Sequence, residues 1–337
     1  MRPEGCPVSA PHAAPRIAEL DQQALTAREI IDGARNRERE AAIGSPDEGY
    51  FPPGSVLRQV HSNRKVGLLY GQLALTIGGT DTLNYVGTSE HTRNKQLPFR
   101  RLAETAEMFE TIFLGSREEA DAVVDRVFLM HTRVKGDTSE AAGPYPKNTP
   151  YSAFDSDRML GTMTPMAYSA LALYEELEQP LSDEDRESFW QDYRLFGELF
   201  GLSRDNTPET YPEFQHYMKD RFTGGELHLT DAAKYMGEVV SFYMPIPHFR
   251  ERPREIMNLV LLGTLPKEVR EMYDLPYNLS QESKFHKVAS AIRLGSKLLP
   301  NAITHGRNTF LFKQVAGEEV RLQTLGVQAV MPENPYQ

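Results

Sequence analysis

The stretch from Arg101 to Gly136, RLAETAEMFETIFLGSREEADAVVDRVFLMHTRVKG, binds this chain to helix-on-helix packing. Ser116 followed three residues later by Glu119 forms a capping box, in which a hydroxyl and a carboxylate each satisfy a backbone N–H that the first turn leaves free. A helix therefore begins near Arg117. Its Ala120, Val123, Val124, Val127, Phe128 and Val134 keep the 3,4 spacing of one buried face, and His131 falls on that face, so its ring is expected to point inward. The preceding helix carries Leu102, Ala106, Phe109, Ile112 and Phe113 as its stripe, with Arg101 and Thr105 projecting four residues apart from one edge. From spacing alone, Arg101 snorkels to water, Thr105 bonds its own backbone and His131 is a satisfied core histidine. The alternative is that cation, hydroxyl and imidazole border a site.

The other segments point to the same class. A charged helix is expected over 26–43, and a longer one over 56–78, apolar on most sides and therefore buried, ending at Gly78 and Gly79. TDTLNYVGTSEHT reads as a loop in which His91 serves the loop rather than a metal. GDTSEAAGPYPKNTPYSAFDSD has no periodicity. There Tyr151, Ser152 and Asp155 either close over a pocket or, for Asp155, cap the helix beginning near Arg158. That helix places Met159, Met163 and Met166 at core spacing. Ser182 and Asp185 start another, whose Trp190, Tyr193, Phe196 and Phe200 form an aromatic core stripe. Helices follow at about 211–222, 230–242, 252–262 and 280–299. No alternating run or hairpin signal stands out, which predicts an all-α fold. With no linker composition, residues 1–20 are expected to be a disordered leader and 21–330 one large helical domain.

Charge and composition remove several function classes. A formal net charge of -10 opposes binding to a phosphate backbone, so nucleic acid is excluded. The one cysteine, Cys6, leaves no disulfide, thiolate metal site or cysteine nucleophile in the fold. The amino terminus lacks the apolar core of a signal peptide and no run is long enough to span a bilayer, which places the chain in the cytoplasm. Neither a nucleophile elbow nor a glycine-rich phosphate loop occurs. Glu213 and His216 make an E-x-x-H pair, but a di-iron site needs two such pairs and further glutamates. Glu282 and His286, at spacing four, are only a partial second half.

R-L-x-x-T at Arg101, Leu102 and Thr105, then R-V-x-x-x-H-x-R-V-x-G from Arg126 through His131 to Gly136, then P-Y-S-A-F-D from Pro150 to Asp155, resemble the MpaB and rubber-oxygenase (latex-clearing protein) family of haem oxygenases. The resemblance spans about 67–220. It implies a globin-like all-α core holding one haem b, with His131 as proximal iron ligand and with Arg101 and Thr105 near the haem and required for activity. It further implies dioxygen as co-substrate and insertion into, or cleavage of, a C=C bond in a hydrophobic polyisoprenoid or prenyl-like molecule. Two departures stand out. Glu104 occupies the place of the lysine that caps the distal iron face in latex-clearing protein, and Gly161 that of a tryptophan found in many members. The alternatives are a haem-binding sensor or carrier without turnover, and a non-haem iron protein built on Glu213 and His216. Oligomeric state leaves no signature in the sequence.

Overall fold

The computed structural model describes residues 17–41, 46–92, 97–245 and 251–327. Most of the expected leader thus lies outside the described residues. Among these, fifteen α-helices account for nearly all regular structure: α1 (Ile17–Glu40), α2 (Val56–Ser62), α3 (Arg64–Gly78), α4 (Thr82–Glu90), α5 (Pro98–Leu114), α6 (Arg117–His131), α7 (Ser156–Leu177) and α8 (Asp183–Leu199), followed by α9 (Tyr211–Thr223), α10 (Asp231–Phe242), α11 (Glu251–Thr264), α12 (Lys267–Met272), α13 (Leu279–Ser296), α14 (Asn301–Thr304) and α15 (Thr309–Thr324). The fold is all-α, as the periodicity predicts.

Several caps form as the sequence requires. Ser116 and Glu119 bond reciprocally at the start of α6, and Ser182 and Asp185 do so at α8. Asp155 caps α7, accepting from the Arg158 N–H at 3.0 Å. Other boundaries differ. The long helix expected before Gly78 is two, because Asn63 leaves helical geometry (ψ 113°) and its side-chain oxygen caps the second. The segment read as a loop around Asn84 is α4, started by Asp81, whose carboxylate accepts from the Asn84 N–H at 3.2 Å. α1 begins earlier than expected, and α6 stops at His131, so Val134 is not part of its face.

The aperiodic segment after α6 is a small hairpin. Strands β1 (Lys135–Asp137) and β2 (Pro150–Ser152) pair antiparallel with Gly136 opposite Tyr151, and the connection turns through Gly143 and Asn148, both at positive φ. Positive φ at these two residue types is the turn chemistry that a search for alternating strands overlooks.

Packing centres on α3, which lies along α7 and touches α10, while α5 is held between α6 and α15. The aromatic stripe of α8 is core: Trp190 is fully buried, stacks on Phe214 at 4.2 Å between ring centroids, and donates its indole N–H to the Pro208 carbonyl at 3.0 Å. Two buried glutamates tie α5 to α15 in opposite senses. Glu319 of α15 accepts from the first backbone N–H groups of α5, Phe99 at 3.0 Å and Arg100 at 2.6 Å. Glu110 of α5 accepts from the Asn308 N–H at 2.5 Å and the Thr309 hydroxyl at 3.1 Å, where α15 begins. Each helix thus supplies a carboxylate to the positive end of the other. Arg101 follows directly on Arg100, the second N–H of this clamp.

Candidate functional site

A cavity of about 350 Å³ opens between α3, α4, α5, α7, α10 and α15, within the size range of small-molecule sites. Its floor is made by small residues of α3. Gly67, Gly71, Ala74 and Gly78 recur at near-helical spacing along the helix side that borders the cavity. A Cβ added at Gly78 would meet nothing within 4 Å, so the missing side chain there is open space. Leu102, Ala106 and Phe109 of α5, Met166 of α7, Met236 and Val240 of α10, and Phe312 and Val315 of α15 complete predominantly apolar walls.

Arg101 and Thr105 both border this cavity, as the edge of α5 predicts. The Arg101 guanidinium donates to the Thr92 hydroxyl and has no carboxylate partner among the described residues. Although the residue is exposed at the cavity mouth, surrounding protein desolvates its cation enough to lower its pKa. An arginine beside apolar walls, with no carboxylate partner among the described residues, can meet an anion. Glu104, by contrast, is exposed, pairs with Arg100 at 3.0 Å and takes no part in the wall.

His131 is not on the cavity wall. It ends α6, half-buried, with its ring edge-on to Phe154 at 6.1 Å between centroids. Burial pushes its pKa down to about 4, so the imidazole is neutral at pH 7, and neither ring nitrogen has a hydrogen-bond partner among the described residues. Val134, three residues on, lies 3.9 Å from the position of a Cβ on Gly87 of α4, and the next residue, Thr88, borders the cavity. The structure therefore joins Arg101 and Thr105 in one wall and leaves His131 outside the cavity lining, at the end of α6.

The remaining sequence candidates have structural duties. Tyr151 is buried and donates to Glu90 at 2.7 Å, with His91 Nε2 3.1 Å from its hydroxyl, which ties α4 to the hairpin; neither Tyr151, Ser152 nor Asp155 lines the cavity. His216 is exposed and faces Asp220 at 3.2 Å, while Glu213 accepts from the Glu209 N–H at 2.7 Å. Glu282 and His286 are also exposed. Among the described residues no three His, Cys, Asp or Glu side chains converge where a metal ion could be held. An all-protein iron site thus has no ligand set there. Gly161 is packed tightly: a Cβ would lie 3.1 Å from an Asp81 carboxylate oxygen and 3.3 Å from the Arg221 guanidinium, two groups paired at 2.8 Å. A tryptophan has no room in that position.

Sequence reasoning missed two parts of the cavity. The small-residue face of α3 was legible as the spacing of Gly67, Gly71 and Gly78. The contribution of α15 was not, because its weak amphipathic pattern acquires meaning only once α5 is beside it.

The family described as ER-bound oxygenase mpaB/B′/rubber oxygenase, catalytic domain, matches residues 58–294. An uncharacterized protein of Mycobacterium tuberculosis and one of Mycobacterium bovis are each 22% identical to this chain over 204 residues, which is 60% of this chain and 77% of theirs. No solved structure gives a significant match. Among the described residues no helix is long and apolar enough to cross a membrane.

Proposed function

We propose, from the premise that this chain belongs to the mpaB and rubber-oxygenase family and carries its oxygenase catalytic domain, that it is a haem b-dependent oxygenase of a hydrophobic, C=C-containing substrate. The observation that carries the reading is the apolar cavity bordered by Arg101, which has no carboxylate partner among the described residues, together with α6, which packs on α5 and ends in a neutral His131 whose ring nitrogens have no hydrogen-bond partner among the described residues. The donor chemistry suits a haem better than a bare ion. Among the described residues no cluster of protein ligands converges on a metal, which suits a group that brings most of its own ligands, as porphyrin iron does.

In this reading His131 provides the protein ligand to iron. Its depressed pKa keeps a nitrogen lone pair available near neutral pH without competition from a proton. Arg101 meets a carboxylate of the cofactor or stabilises negative charge that develops in the reaction, and Thr105, one turn along α5, offers a hydroxyl to the same region. Bound haem would supply the redox-active iron that turns dioxygen towards insertion into, or cleavage of, the double bond. The apolar walls from α3, α5 and α10 take the substrate and exclude water from it. Glu104 stands where the resemblance puts a lysine of latex-clearing protein, so no cation would come from that position.

Expression with a haem precursor tests the reading. A Soret band is expected from the parent protein and its loss in His131→Ala, with unchanged far-UV circular dichroism. A colourless, fully folded parent overturns it. Oxygen uptake with a prenyl substrate then separates turnover from storage or sensing.

A further inference from the structure

The segment from Lys284 to Lys313 differs from the rest of the molecule in charge and in apolar exposure together. It contains Lys284, Lys287, Arg293, Lys297, Arg307 and Lys313, and no acid occurs between Glu282 and Glu318, in a chain whose formal net charge is -10. Within it, the end of α13, α14 and the first turn of α15 turn large apolar side chains to solvent: Leu294 is 66% exposed, Leu298 86%, Ile303 57% and Phe310 71%. The patch sits on a fixed frame. His305 bridges to Asn63, and the Gly306 N–H donates to the Ser62 carbonyl at 2.7 Å. Lys284, Lys287 and Lys297 are exposed and have no acidic partner among the described residues. Among the described residues the acidic partners of Arg307 and Lys313 are distant, 3.5 Å to Glu119 and 3.7 Å to Glu107.

We propose that this face docks on an anionic lipid bilayer. Exposed leucine, isoleucine and phenylalanine set among unpaired lysines match the boundary between acyl chains and negative headgroups, where apolar side chains insert and ammonium groups stay in the headgroup layer. The chain as a whole is acidic, with a formal net charge of -10, so this acid-free segment is where attraction to such a surface and a preferred orientation are expected. α15 then faces two ways: Phe310 points outward while Phe312 and Val315 border the cavity. Docking stands independently of the haem reading; only its use, to pass a bilayer-dissolved lipophile to the cavity, rests on that reading.

The test is co-sedimentation of the full chain, without added haem, with vesicles of phosphatidylcholine alone and of phosphatidylcholine with phosphatidylglycerol. Binding to the anionic vesicles at least tenfold tighter than to neutral ones, and weakened by salt, is expected. Leu298→Glu with Phe310→Glu lowers the partition coefficient at least tenfold, and changing Lys284, Lys287 and Lys297 to Gln lowers it by about fivefold per lysine. Melting curves of the variants match the parent, since the altered side chains are solvent-exposed. Failure to sediment with either vesicle overturns the proposal, as does unchanged binding by both variants. A parent dimer that the Leu298 and Phe310 variant converts to monomer, without vesicle binding, also overturns it in favour of self-association. Because no step needs haem, a colourless protein that binds vesicles refutes the oxygenase reading alone.

Discussion

Replacing Glu319 tests whether α15 is a structural partner of the site or a peripheral addition. The side chain has no exposed surface and its carboxylate accepts two backbone N–H groups at the start of α5, that of Phe99 being fully buried. Glu319→Ala removes both bonds and leaves a buried donor unpaired. A hydrogen bond to a charged group contributes about 1.5–3 kcal/mol and an orphaned buried donor costs about 1–3 kcal/mol. Release of the buried carboxylate from its desolvation penalty offsets part of this, so the net loss is about 2–3 kcal/mol. With an unfolding entropy of about 2.1 cal/mol/K per residue, a chain of 337 residues loses roughly 3–4 °C of Tm. Urea and thermal unfolding measure it, with Lys313→Ala as control, because that exposed pair contributes less than about 0.5 kcal/mol. A Glu319→Ala midpoint within about 0.5 kcal/mol of the parent would refute the clamp. pH gives a second readout. Burial raises the pKa of Glu319, so the folded state holds its proton more tightly than the unfolded chain. That contribution is complete below the ordinary glutamate value of 4.5 and is lost as pH rises through the folded value. The stability of the parent relative to Glu319→Gln therefore falls as pH rises.

Buried imidazoles give the opposite slope: burial lowers His131 to about 4 and His61 to about 3, so the unfolded chain takes up these protons first, and the urea midpoint falls as pH drops from 6.5 towards 4. Tyr193→Phe removes the hydroxyl 2.7 Å from His61 Nε2, while its Nδ1 already lacks a partner, and costs about 1–3 kcal/mol in equilibrium unfolding. Gly78→Leu fills open space at the cavity floor, so binding of an apolar dye falls several-fold with no loss of stability; undiminished binding would place the ligand elsewhere. Arg101→Gln leaves the melting temperature unchanged, because no carboxylate loses a partner, yet lowers haem retention in a competition with apomyoglobin about tenfold.

What the sequence conveyed followed from how local each signal is. The capping boxes at Ser116 and Ser182 and the cap at Asp155 formed because a cap is settled within four residues. Arg101 and Thr105 emerged on one wall because a helix places i and i+4 side by side whatever surrounds it. His131 is harder to place. Helical phase fixes its face but not what lies across from it, and the helix ends on that very residue. The hairpin escaped because three-residue strands carry no alternation, and α15 because its amphipathic signal is weak and its ties to α5 join residues some 200 positions apart in the chain.

That last tie reaches outside the part of the chain that the family matches. The family match ends at residue 294, yet Phe312 and Val315 of the cavity wall lie beyond it. A truncation designed on the matched boundary would expose the cavity to water and uncap α5 in one cut. Conversely, α15 is a natural place to redraw the cavity's shape by engineering: its inner residues can be exchanged while the two glutamate clamps are kept, leaving Arg101, Thr105 and His131 untouched.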